Sequence, residues 1–216
     1  MRDVVSEPNV EVASRRERKL RTRQAILASA LELAQDTGLA GVSLRQVAKE
    51  VGIVPTAFYR HFDSVEQLGL VLVDEAFVSL RAMLRDVRRE PELAGVIPSS
   101  VRILLDHVRR QQSHFRFIAR ERNGGSPPVR DAIRHALDMF EEELAADVAR
   151  LPGTEVWSEE DLRTLSRMIV HVMVATAERL LDAPRSPDAE AAIVHEAETQ
   201  LRMLVVGALN WTSGGV

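Results

Sequence analysis

Apolar positions along this chain recur almost throughout at intervals of three and four, the period of helices buried on one side. From 15 to 37, Ile26, Ala30, Leu33 and Ala34 form an inner stripe, and Gly38 marks the stop. Within 43–51, Leu44, Val47, Ala48 and Val51 keep that spacing behind Ser43, a candidate N-cap with Gln46 three residues on. Gly52 stands where a helix ends in a left-handed residue, and Pro55 suits the first turn of the next. Phe58 and Phe62, four apart, point inward from that second short helix. Asp63 is the expected N-cap of a long helix to about 89, with Leu68, Leu72, Ala76, Leu80 and Leu84 along it. A break is expected over 90–98, then helices over 99–110 and 114–122. GGSPP at 124–128 predicts a loop with Ser126 as cap. Its helix runs to about 151 on Val129, Ile133, Leu137, Phe140, Leu144 and Val148. Ser158 caps a helix to about 182, and Ser186-Pro187 opens the last, which ends near Trp211. With no strand alternation, repeat or low-complexity tract, the pattern predicts an all-α chain of nine helices.

The last two helices depart from this pattern. Residues 168–177 and 203–209 are apolar on nearly every side, whereas a surface helix keeps a polar face. Either they form the centre of a core or a second subunit covers them.

The two short helices and their tight turn have the geometry of a helix-turn-helix, whose second helix enters the major groove. With Phe58 and Phe62 inward, Thr56, Ala57, Tyr59, Arg60 and His61 are left for the outside. The run SLRQVAKEVGIVPTAFYRHF at 43–62, followed by the acidic helix start DSVE, closely resembles the DNA-binding motif of the TetR family of one-component repressors. That resemblance implies a nine-helix architecture over essentially the whole chain. Its expected parts are a flexible arm over 1–14, a DNA-binding domain over 15–62, and an effector-binding and dimerisation domain over 63–216. It favours a homodimer joined through the last two helices, and symmetry then asks for a palindromic double-stranded operator. Lys19, Arg21, Thr22, Tyr59 and His61 are the expected phosphate contacts. Arg45, Gln46, Thr56 and Ala57 are the candidates for base edges, with Pro55 and Arg60 completing the surface.

Charge changes the picture only when it is located. The net formal charge of −4 is unlike a DNA binder, yet residues 1–62 hold ten Lys and Arg against seven Asp and Glu. Between Arg15 and Arg23 six basic residues face one acidic, and phosphates meet the local cluster, not the average. The absence of cysteine excludes disulfides and thiolate chemistry. No signal-peptide pattern opens the chain and no apolar run spans a bilayer, so a cytoplasmic protein without membrane contact is expected. Nucleophile-elbow, zinc-protease, P-loop and dinucleotide motifs are all missing. The six histidines show no ligand spacing, so neither catalysis, metal nor cofactor is expected.

The segment HFRFIARERNGG at 114–125 is an ordinary amphipathic helix when taken alone. Its F-R-x-x-x-R-E-R-x-G pattern, with DSVEQLGL at 63–70 and QLRMLVVGALNW at 200–211, is similar to the proteobacterial repressors of unsaturated fatty acid synthesis. These sense long-chain acyl-CoA and control desaturase or unsaturated-fatty-acid synthesis genes. The resemblance implies an acyl-CoA effector, and Phe115, Arg116, Arg120 and Arg122 become candidate ligand contacts. Met168, His171, Val172, Ala175 and Glu178 join them from the apolar stretch. For Glu178 a solvated helix end and the dimer seam stay open as well. The rival functions are a TetR-type repressor answering another lipophilic molecule, and a helical lipid-binding protein without a DNA role.

Overall fold

The computed structural model describes residues 9–88, 93–151 and 153–213. Among these the chain forms nine α-helices and one short 3-10 turn, without strands. They fall into two compact units, up to Leu72 and from Val73 onward.

In the first unit α1 (Asn9–Thr37) buries Ile26, Leu27, Ala30, Leu31 and Ala34. It begins six residues before the expected start, so residues 9–14 of the supposed arm are helical; residues 1–8 lie outside the described residues. Of the added residues, Glu11 and Ala13 favour helix. Gly38 ends α1, and the 3-10 turn Leu39–Gly41 leads to α2 (Leu44–Val51). Ser43 and Gln46 close a reciprocal capping box: the Gln46 amide donates to Ser43 Oγ at 3.2 Å and the Ser43 amide to Gln46 Oε1 at 3.0 Å. Gly52 takes φ 72° and ψ 31°, and Ile53 donates back to the Ala48 carbonyl at 2.9 Å. That is the left-handed stop foreseen for this position. One turn, α3 (Pro55–Phe58), follows.

The helix α4 (Val65–Val87) is capped by Ser64, not Asp63: the Gln67 amide donates to Ser64 Oγ at 3.0 Å. Asp63 instead donates its own amide to Gln67 Oε1 at 2.6 Å. Leu68 and Leu72 are buried, and the first unit extends to Leu72, ten residues past the expected boundary at 62. The physical reason is that the first two turns of α4 carry apolar residues of that unit's core.

The second unit continues α4 from Val73 and adds α5 (Leu93–Arg110), α6 (Gln112–Gly124), α7 (Pro127–Val148), α8 (Glu159–Asp182) and α9 (Pro187–Leu209). The break expected as far as Pro98 is shorter, because α5 runs through that proline. Proline removes one intrahelical bond there, near enough to the helix start for the turn to survive. At the α6–α7 turn the need for glycine is spatial: a Cβ on Gly125 would lie 2.6 Å from the Glu121 carbonyl oxygen. The α8 helix packs most extensively on α7 and α9. Met83, Leu104, Val108, Ala177, Leu180, Leu181 and Ile193 make one core cluster; Val101, Ala197 and Leu201 make a smaller one between α5 and α9.

Candidate nucleic-acid interface and ligand cavity

Four residues of α-helix do not hold themselves together, so α3 depends on what it buries. Phe58 and Phe62 are fully enclosed, with ring centroids 5.7 Å apart. Arg23 of α1 lays its guanidinium 4.2 Å from the centroid of the Phe62 ring and donates from Nη1 to the His61 carbonyl at 2.8 Å. This arginine, counted in sequence among the phosphate-facing cluster, is thus used inside the unit to hold the end of the reading turn. Pro55, Thr56, Tyr59 and Arg60 are exposed, while Ala57 and His61 are half-buried. Lys19, Arg21, Arg45 and Gln46 are exposed on α1 and α2. The Thr22 hydroxyl donates to the Arg18 carbonyl at 3.0 Å, and Gln46 has its carbonyl oxygen committed to the capping box. For base recognition Gln46 retains its amide donors. Burial, then Lys19, Arg23 and Arg60, lower the pKa of His61. Cations from α1 and the α3 turn therefore surround one imidazole, a setting suited to phosphate.

The second unit encloses a cavity of about 760 Å³ walled mainly by aliphatic and aromatic side chains. This lies in the size range of small-molecule sites. Along α8 its wall extends from Leu165 to Leu181, sixteen steps along the helix, or about 24 Å at 1.5 Å per residue. Phe77, Leu80 and Leu84 of α4, Phe115 of α6 and Leu137 and Phe140 of α7 supply other walls. Polar groups concentrate toward two ends. At one, Arg122 Nη2 lies 3.4 Å from Glu178 Oε1; His114, about two turns earlier on α6, also lines the wall, and its pKa is lowered by burial. At the other, Arg88 and Arg150 flank Asp147.

Of the nine residues expected to meet a ligand, the cavity wall includes Phe115, Arg122 and Glu178. The other six lie off it. Arg116 donates from Nη2 to the Leu181 carbonyl at 2.7 Å, satisfying the last turn of α8, where carbonyls lack helical partners. Arg120 is exposed. Met168 and Ala175 face outward, and so does His171, whose Nδ1 lies 2.7 Å from the Arg167 carbonyl. Val172 packs on the α5–α9 cluster. The cavity face of α8 is instead Leu165, Ile169, Val170, Met173, Val174 and Ala177. A helix apolar on all sides has no polar stripe from which to read that phase. Arg88, Asp147 and Arg150 were also missed, since nothing in their local sequence separates them from solvated helix ends. Among the described residues no acidic or histidine cluster fits a metal ion, and no helix is long and apolar enough to cross a membrane.

Comparison with known proteins agrees with both units. Residues 26–70 match the family described as bacterial regulatory proteins, tetR family. Residues 93–207 match the tetracyclin repressor-like C-terminal domain. Among solved structures, a transcriptional regulator from Rhodococcus sp. Rha1 is 22% identical, with 86% of this chain and 96% of that one covered and a TM-score of 0.67. FadR from Bacillus subtilis, described in complex with stearoyl-CoA, is 15% identical over 85% of this chain and 98% of its own, with a TM-score of 0.67. AibR, described with isovaleryl coenzyme A and operator DNA, is 16% identical over 83% and 97%, with a TM-score of 0.65. At these identities the likeness is one of fold. The family matches take in both the helix-turn-helix and more than half of the chain beyond it: this protein belongs to the TetR family of DNA-binding transcriptional regulators and is not an enzyme.

Proposed function

We propose that this chain acts as a homodimeric repressor of fatty acid desaturation or unsaturated-fatty-acid synthesis genes, with long-chain acyl-CoA as its effector and a palindromic operator as its DNA. The observation that carries the reading is the long apolar cavity in the unit that follows the helix-turn-helix. Burying about sixteen methylenes at ~0.8 kcal/mol each supplies on the order of 13 kcal/mol gross, partly offset by ordering the chain and the wall. Two regulators of the same fold, FadR and AibR, are described with acyl-CoA ligands, which supports the same chemical class here. Among the described residues α4 is the element with residues in both units, and its second half lines the cavity. A ligand acts on DNA affinity only through unequal binding to two arrangements of the protein. A tenfold effect on operator binding needs about 1.4 kcal/mol of such coupling.

The test is operator binding titrated with matched saturated and monounsaturated acyl-CoAs below their micelle concentrations. The expected result is that the two chains shift operator affinity by different amounts. Identical curves with and without either ligand sink the acyl-CoA assignment. A response confined to other apolar compounds makes the protein a regulator for a different lipophile.

A further inference from the structure

We propose that Arg88 and Arg150 bind the anionic head of an amphiphile whose alkyl chain fills the cavity, and that Asp147 is the counter-ion this head displaces. The inference rests on reading the cavity as the effector site. It assigns the ligand's direction: head at the end of α7, tail toward Arg122 and Glu178.

Two observations favour this end as the mouth. The cavity residues there are open to solvent, with Arg150 77% exposed at its side chain. The ionic arrangement is also exchangeable. Arg88 donates from Nε to Asp147 Oδ2 at 2.6 Å, and Arg150 Nη1 lies 3.1 Å from Asp147 Oδ1. One carboxylate therefore serves two guanidiniums, which carry about ten N–H donors between them. Arg88 also reaches Glu143 at 4.0 Å, which Arg81 approaches at 3.4 Å. On the adjoining loop the Glu155 carboxylate accepts from the Gly153 amide at 2.9 Å, so that acid is already engaged. A carboxylate or phosphate at the mouth would accept from both arginines in the forked geometry that guanidinium favours. The opposite end is matched one to one. Arg122 has Glu178, and His114, with its pKa lowered by burial, adds no charge at neutral pH.

The arrangement has a consequence of opposite sign for two kinds of variant. Removing the arginines weakens anionic ligands; removing the competing carboxylate strengthens them. The experiment is calorimetric titration of the full-length protein with decanoate, decanoyl-CoA and decanol, which share an alkyl chain and differ in the head. Decanoate, decanoyl-CoA or both are expected to bind roughly tenfold more tightly than decanol, a margin that shrinks at high salt. Which of the two anions binds better tells a free carboxylate from a phosphate-bearing thioester. Arg88→Gln combined with Arg150→Gln should erase the preference. Asp147→Asn should increase affinity for the anion and leave decanol unchanged, a gain that misfolding cannot produce. Arg122→Gln should leave the preference intact. Equal binding of anion and alcohol to the native protein, or a preference that survives the double arginine variant, overturns the head-group assignment while the apolar site stands. Failure of every probe to bind overturns the effector-site reading together with it.

Discussion

His61 is held below the ordinary histidine value in the free protein, first by burial and then by Lys19, Arg23 and Arg60. At neutral pH it is therefore mostly uncharged whether the chain is folded or unfolded. Below the unfolded value of about 6.5 the unfolded chain takes up a proton that the folded one resists, so this residue's contribution to stability is lost as the solution is acidified. A DNA phosphate beside the ring acts the other way, because an opposite charge favours the imidazolium. Operator binding should then take up a proton and tighten as pH falls below about 6.5, relative to a His61→Gln variant. Operator affinity measured across that range for both proteins checks this, and parallel curves exclude His61 from the phosphate interface. That the residue turns away from the Phe58–Phe62 side was legible from its place between them, though it is half-buried. Its perturbed proton affinity was not, since two of the three cations responsible come from α1.

At the scale of the element, the helix-turn-helix is governed by neighbours within a few residues. The capping box of Ser43 and Gln46, the left-handed Gly52 and Pro55 at the first helical position all stand where local chemistry places them. Nothing lies within 4 Å of a Cβ built on Gly52, so replacing it brings backbone strain without a clash. Gly52→Ala should cost about 1–2 kcal/mol, and Gly52→Asn less, because asparagine tolerates the left-handed region. Urea unfolding of the three proteins measures this; an unchanged alanine midpoint would show that the turn relaxes. The α5 start and the α4 cap were harder to place. Pro98 and Asp63 are valid local stop and start signals, but Pro98 is tolerated within a helix, and Ser64 competes with Asp63 for the same role.

For the molecule as a whole, α8 and α9 carry the unexplained apolar surface. Met203 is 69% exposed, Val206 60% and Met168 41%, with His171 and Ala175 also outward. Several of these were expected to face a ligand, and they are instead left uncovered among the described residues. A second copy is the expected cover, consistent with the homodimer proposed above. Met203→Glu with Val206→Arg should yield a folded monomer by sedimentation equilibrium, with operator affinity lowered because one half-site is then bound at a time. A variant that remains dimeric places the interface elsewhere.

The sequence alone determined the all-α class, the order of helices and the helix-turn-helix, because caps, left-handed stops and apolar periods are short-range. It also determined that α8 and α9 need cover beyond a single face. Only the tertiary structure decided which side of α8 lines the cavity, because an all-apolar helix takes its phase from its neighbours. It likewise turned Arg116 onto the end of α8, drew Arg23 onto Phe62, and brought Arg88 together with Asp147 across 59 residues of chain. A long charged side chain goes to whichever acceptor the packing places within reach, and that acceptor is not written in its own neighbourhood.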